Sequence, residues 1–314
     1  MTRHAFVFPG QGSQFIGMGL ELAKAFPVSK SVFDEIDDAL NQHLSRLMFE
    51  GDASELTATE NAQPALFAVS LATVRALEEQ GGFQLSEKAD YVAGHSLGEY
   101  SALAASGVLT IAEGARLLRL RGQAMQRAVP AGKGGMAALL GVETEQAKEL
   151  CLEAAQNSIL EIANDNGGGQ IVVSGSIEAI DRVIELAKAK GIRRAVKLPV
   201  SAPFHSSLMQ PAAKEMAEAL EGADLKDAKI DVVPNVSVEF TREAKIFRTR
   251  LVEQVTGQVR WRETVSLFAQ SGITHHHELG AGKVLTGLAR RIAPDLTTDF
   301  AGTPAEIETM LKTL

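Results

Sequence analysis

Apolar and polar positions along this chain follow two periods, one suited to short buried strands and the other to helices. His4 to Phe8 is a short apolar run of aromatic and β-branched character that ends at Pro9-Gly10, which predicts a buried strand entering a loop. Over Ala62 to Gln80, the residues Leu66, Val69, Leu71, Val74 and Leu77 recur near the helical period, and Gly81-Gly82 stops the pattern. A second short strand is predicted through Tyr91, Val92 and Ala93. The Ala- and Leu-rich stretch Leu97 to Ala105 then predicts a helix, as does the longer one from Ile111 to Ala128.

Near Pro130 the texture changes. Six short elements follow in the order strand, helix, strand, strand, helix, strand: Met136 to Leu140, Thr144 to Gln156, Ile159 to Ala163, Gln170 to Ser174, Ile177 to Lys190 and Arg194 to Leu198. That order is the signature of a ferredoxin-like unit, and it predicts a small subdomain over residues 129–199, bounded by Pro130-Ala131-Gly132 and Pro199. Residues 1–128 and 200–314 then form a large α/β subdomain. Its second part carries predicted helices at Ser206 to Leu220, Phe247 to Thr256 and Glu263 to Gln270. Strands fall near Ile230 to Val233 and at His275 to Leu279, and a last strand and helix close the chain. Alternating strands and helices favour a parallel sheet covered on both faces.

Composition narrows the function classes. With 314 residues, 45% of them hydrophobic, the chain can bury a large core. Its 31 basic against 39 acidic side chains give a formal charge of −8, which argues against nonspecific nucleic-acid binding but leaves room for a local basic patch. No run of eighteen apolar residues suits a membrane span, and the first strand turns to Pro9-Gly10 before a signal-peptide core could form. A cytoplasmic protein is the expectation. Cys151 is the only cysteine, so neither an intrachain disulfide nor a thiolate metal cluster is available, and its setting reads as an ordinary helix position.

The strongest chemical signal is Gly94-His95-Ser96-Leu97-Gly98. A strand before it and a small-residue helix after it make the arrangement of a nucleophile elbow, with glycines that permit a tight turn and helix N–H groups that can face an oxyanion. Ser96 is therefore the candidate nucleophile, and it needs a base. Among seven histidines, His275-His276-His277 alternates sides along a strand and cannot converge on one ion, so solvent exposure or strand-end packing is expected there. His95 should point away from the nucleophile. His205 sits in the proline-bracketed loop from Pro199 to Ser207, a setting that fits a fixed catalytic base and a capping or packing histidine equally well. A second loop, Pro9-Gly10-Gln11-Gly12-Ser13-Gln14, lacks the third glycine of a dinucleotide fingerprint and the Gly-Lys-Ser/Thr of a phosphate loop. Its glycines would instead let the Gln11 amide approach a reacting carbonyl.

Taken together, Pro9-Gly-Gln-Gly-Ser-Gln14, Gln63-Pro-Ala65, Gly94-His-Ser-Leu-Gly-Glu-Tyr100, Arg119-Leu-Arg-Gly122 with Met125-Gln126, Pro203-Phe-His205, Gln254 and Gly282-Lys-Val-Leu285 resemble the malonyl-CoA:acyl-carrier-protein transacylases of bacterial fatty-acid synthesis. The resemblance spans nearly the whole chain. It implies a malonyl ester on Ser96, His205 as base, the Gln11 and Leu97 amides as oxyanion donors, and Gln254 as the group that orients His205. It further implies that Arg121 receives the malonyl carboxylate, with Gln63 and Asn164 as further substrate contacts. From the residues alone, a helix arginine is usually a solvated charge; guanidinium is nonetheless the planar, bidentate partner a carboxylate needs. Malonyl-CoA and an acyl carrier protein are the implied partners, with no metal and no resident cofactor, and the enzyme is expected to be a monomer.

Two positions depart from the family pattern, Gly168 and Ala281, where proline is common; the first puts a binding role for Asn164 in doubt. Arg193, Arg194, Lys197, Arg290 and Arg291 could form a basic patch for an acidic carrier protein, and a plain solvated face fits each equally well. Two rivals share parts of the motif set: a polyketide-pathway acyltransferase, and a lipase-like serine hydrolase, which would ordinarily add an acidic residue between Ser and His in chain order.

Overall fold

The computed structural model describes residues 2–192 and 194–314. In chain order they form β1 (His4–Phe8), α1 (Leu20–Ala25), α2 (Pro27–Leu40), α3 (Leu44–Glu50), α4 (Ala53–Thr57), α5 (Thr59–Gly81), α6 (Leu85–Lys88), β2 (Tyr91–Gly94), α7 (Gly98–Ala105) and α8 (Ile111–Ala128). Next come β3 (Gly134–Leu140), α9 (Thr144–Ala155), β4 (Leu160–Asp165), β5 (Gln170–Ser176), α10 (Ile177–Ala189) and β6 (Arg194–Lys197). The remainder is α11 (Gln210–Gly222), β7 (Asp231–Val232), α12 (Ala244–Thr256), α13 (Trp261–Gln270), β8 (His275–Leu279), α14 (Val284–Ile292), β9 (Thr297–Ala301) and α15 (Pro304–Met310).

The strands form two sheets. One is parallel throughout, in the order β7-β2-β1-β8-β9, and the other is antiparallel, in the order β4-β5-β3-β6. All five residues of β1 are buried because the parallel sheet is covered on both faces. Phe6 and Phe8 face a core shared with Leu66, Val69 and Leu77 of α5, while Ala5 and Val7 face Trp261, Phe268 and Leu288 of α13 and α14. The 23-residue α5 is buried along most of its length, so its apolar positions wrap nearly all round the helix.

Several expectations are sharpened. The helix predicted from Ser206 begins as a 3-10 turn, Ser207–Met209, and becomes α-helical at Gln210, where Pro211 in the first turn gives up an N–H that has no partner there. The sequence pattern does not single out α14 or the short helices α1 to α4. The histidine run is not at a solvent-facing strand end: β8 lies inside a parallel sheet that is covered on both faces, and His276 and His277 are fully buried. His277 Nδ1 lies 2.5 Å from Asp299 Oδ1 and its Nε2 lies 2.8 Å from His4 Nδ1. Among the described residues no group of three or more His, Cys, Asp or Glu could hold a metal ion, and no helix is long and apolar enough to cross a membrane. Cys151 is buried on α9, and burial pushes its thiol up to about 12, far from a reactive thiolate.

Candidate functional site

The loops after β1 and β2, at the C-terminal edge of the parallel sheet, meet residues of the antiparallel sheet around a cavity of about 340 Å3. Gln11, Gln63, Ser96, Leu97, Arg121, Asn164 and His205 all line it. Seven positions spread over nearly two hundred residues are thus brought to one place.

Ser96 stands between β2 and α7 on a turn with almost no room. A Cβ on Gly94 would lie 1.9 Å from the Gly98 carbonyl, and one on Gly98 would lie 2.3 Å from the Phe8 carbonyl oxygen, so both positions need glycine. Ser96 itself has φ 54°, and His205 has φ 55°. Each left-handed conformation costs about 1–3 kcal/mol, which the surroundings must offset. At Ser96 they do so with hydrogen bonds: its N–H donates to Asn235 Oδ1 at 2.8 Å, and its carbonyl accepts from Gln254 Nε2 at 3.0 Å.

Ser96 Oγ lies 2.7 Å from His205 Nε2. The other ring nitrogen, Nδ1, faces two main-chain carbonyls, Gln254 O at 2.9 Å and Gly257 O at 3.1 Å. Carbonyl oxygens only accept, so the proton of the neutral ring belongs on Nδ1, and Nε2 offers its lone pair to the serine hydroxyl. Gln254 therefore orients His205 through its backbone, not its amide. Among the described residues no carboxylate contacts the imidazole. Burial, reinforced by the Arg121 cation, pushes the His205 pKa down to about 3. A base with a depressed pKa is active above that value and is lost as pH falls through it. Acylation of Ser96 is therefore expected to hold its rate from neutrality down to about pH 5, without the break near 6.5 of a free imidazole. Rapid-quench rates at several pH values check this; a half-maximal rate near 6.5 would contradict it.

Arg121 is 1% exposed on α8. Its Nη1 donates to Gln63 Oε1 at 2.7 Å, and its Nη2 donates to Gln254 Oε1 at 2.9 Å and to Ser96 Oγ at 3.2 Å. Its Nε has no partner and it forms no salt bridge among the described residues. The Tyr100 ring lies beside it, 5.9 Å from centroid to guanidinium carbon. A buried cation whose hydrogen bonds all go to neutral acceptors, with the Glu99 carboxyl acting on it only through space, is incompletely compensated. Gln63, whose Nε2 donates to Thr59 Oγ1 at 3.0 Å, uses its amide to hold Arg121.

The Gln11 and Leu97 amides donate to no acceptor among the described residues, and both residues face the cavity beside Ser96. Thr59 Oγ1 donates to Gln11 Oε1 at 2.9 Å and so fixes the loop after β1. Asn164 reaches the cavity from a bulge in β4. The loop beyond it turns through Gly168 at φ 57°, a value closed to proline. His95 points away from the Ser96 hydroxyl, with Nε2 2.9 Å from Asn166 Oδ1. Of the basic candidates, Arg291 stands at the rim, where its Nη2 donates to the cavity residue Gln170 at 3.2 Å, whereas Arg290 turns to Thr298 and Lys197 to Asp181. Arg193 lies outside the described residues.

The sequence motifs do not single out Asn235, and Glu99 stands in the serine motif without a role of its own. Asn235 receives the Ser96 N–H and donates from Nδ2 to Gly94 O at 2.7 Å, bracketing the turn. The signal available was Pro234-Asn235 directly after a short strand, at the sheet edge where sites of this architecture form.

The family model for the acyl transferase domain matches residues 5–276. The chain belongs to the acyl transferase family. A Bacillus subtilis relative named malonyl CoA-acyl carrier protein transacylase is 44% identical over 315 residues, covering 100% of this chain and 98% of its own. A solved acyl-carrier-protein S-malonyltransferase from Bartonella henselae superposes with a TM-score of 0.97 at 51% identity, covering 99% of both chains. A malonyl-transacylase solved in complex with its type II PKS acyl-carrier protein superposes with a TM-score of 0.96 at 42% identity, covering 100% of both chains. The resemblance carried by the motifs extends over the whole chain.

Proposed function

We propose that this enzyme transfers a malonyl group from malonyl-CoA to the phosphopantetheine thiol of an acyl carrier protein through an ester on Ser96. The observation that carries this reading is Arg121, a buried guanidinium without a carboxylate partner whose Nη2 is 3.2 Å from the Ser96 hydroxyl. An acyl group that ends in a carboxylate completes it.

In the first half-reaction His205 Nε2 takes the Ser96 proton as Oγ bonds to the thioester carbonyl carbon. The Gln11 and Leu97 amides receive the oxyanion, the latter at the N-terminus of α7. The C–S bond breaks, and CoA leaves with the proton from His205. In the second half the carrier's thiol gives its proton to His205 and its sulfur attacks the ester; the Ser96 oxygen then takes that proton back. Arg121 holds the carboxylate in both halves, with Gln63 acting through it and Asn164 as a further substrate contact in the cavity wall. The scheme uses no resident cofactor.

We read the Ser96 turn as a nucleophile elbow in a large subdomain. The antiparallel sheet with α9 and α10 then forms a ferredoxin-like subdomain over residues 129–199 that walls the other side of the cavity. Arg291 at the rim is the basic residue best placed to meet an acidic carrier. A polyketide carrier is a second acceptor of the same chemistry, favoured by the solved complex described above.

Intact-mass and peptide analysis after mixing with malonyl-CoA tests the reading. A malonyl mass on the Ser96 peptide, discharged on adding a phosphopantetheinylated carrier, is expected. Rapid release to malonate without carrier would make the protein a hydrolase instead.

A further inference from the structure

Glu99, in the first turn of α7, is fully buried, and the scheme above gives it no task. Its Oε2 accepts from the Asn235 main-chain N–H at 2.9 Å and from Gln254 Nε2 at 2.8 Å. Those two residues between them touch the nucleophile turn, the base and the buried guanidinium. Asn235 holds the Ser96 N–H and the Gly94 carbonyl; Gln254 holds the Ser96 carbonyl with Nε2, the Arg121 guanidinium with Oε1 and His205 Nδ1 with its main-chain oxygen.

The orientation of the Gln254 amide decides whether this works. Its Nε2 faces three acceptors, Glu99 Oε2, Ser96 O and Asn235 Oδ1 at 3.3 Å, so the nitrogen must point that way and Oε1 must point at Arg121. Flipped, the amide would set a donor against a guanidinium donor. Glu99 is the one ionisable acceptor in this set.

We infer that Glu99 is a positioning residue for the transfer reaction: one carboxylate oxygen locks Asn235 and Gln254 together, and through them sets both the Ser96 turn and the carboxylate-binding face of Arg121. The inference rests on the proposed malonyl transfer. Burial pushes the Glu99 carboxyl up to about 7, against the opposing pull of its two donors and Arg121. Either protonation state keeps Oε2 as an acceptor, because a proton can sit on Oε1, which has no partner among the described residues. A glutamine can therefore stand in for this residue, whereas an aspartate, one methylene shorter, cannot reach both donors.

The test uses the full chain and compares wild type with Glu99→Gln, Glu99→Asp and Glu99→Ala. Acylation of Ser96 is timed by intact mass at saturating malonyl-CoA and at saturating acetyl-CoA, with melting temperatures recorded alongside. The Asp and Ala variants should lose about a hundredfold in malonyl acylation, because buried donors are left unmet and Arg121 loses its set, and their malonyl-over-acetyl preference should collapse. Glu99→Gln should recover most of the rate and the preference. Should the alanine variant fail to fold, the Asp and Gln pair decides the matter. Equal losses with both acyl donors, or a Glu99→Asp variant matching wild type, would overturn the positioning role. Absence of any malonyl adduct on the wild-type enzyme would instead overturn the proposed transfer, so the two failures are distinct.

Discussion

Replacing His205 with alanine is expected to slow malonyl loading of Ser96 by about 10,000-fold, the largest effect of any substitution that leaves the nucleophile in place. A serine hydroxyl is almost entirely protonated at neutral pH, and Nε2, 2.7 Å from Oγ, is the only ring nitrogen of a histidine that contacts it among the described hydrogen bonds. Among the described residues no carboxylate stands behind His205 to share the work. The ring is instead held by the Gln254 and Gly257 carbonyls, which fix its tautomer without adding charge. Arg121 Nη2 and the free Gln11 and Leu97 amides remain in the variant, so a residual rate above the uncatalysed reaction should persist. Added imidazole should restore part of the loss by filling the vacated space with the same base. Single-turnover acylation of His205→Ala, with and without imidazole, is the measurement; a loss below tenfold would remove His205 from the role of base.

Local patterns made much of this legible, and distance hid the rest. The Gly94-to-Gly98 motif could be read because the steric demand that creates it is local: two glycines four apart let β2 turn into α7 within one close contact. The four strands of the antiparallel sheet and the two helices between them could be read because each is short and bounded by turn residues. The network behind the site gave no such sign. Glu99 bonds to Asn235 and Gln254 across 136 and 155 residues, and no periodicity records a hydrogen bond over that span. The Gln254 amide and carbonyl have different partners, a division of labour that a single letter in a sequence does not express. His276 and His277 misled for a related reason: polar letters in a strand suggest exposure, yet the layers over both faces of the sheet bury them and Asp299 meets the second ring.

The substitution that bears most on substrate choice is Arg121→Ala. Malonyl differs from acetyl by one carboxylate, and two charge-assisted hydrogen bonds from a guanidinium fork contribute about 3–4 kcal/mol to holding it. Removal should therefore cost roughly 200- to 1,000-fold in kcat/KM for malonyl-CoA. Acetyl-CoA makes no use of that fork, so its rate should fall far less and the preference between the two should nearly vanish. Arg121→Lys should not rescue the malonyl rate. A single ammonium cannot donate to Gln63, to Gln254 and to a bidentate carboxylate in the geometry that the buried guanidinium holds. Competition between malonyl-CoA and acetyl-CoA, read as the ratio of adducts on Ser96, measures the effect without needing the carrier protein. A preference for malonyl that survives Arg121→Ala would move carboxylate recognition elsewhere in the cavity. It would also leave a buried, unpaired cation beside Ser96 with no evident purpose but to lower the cost of the alkoxide.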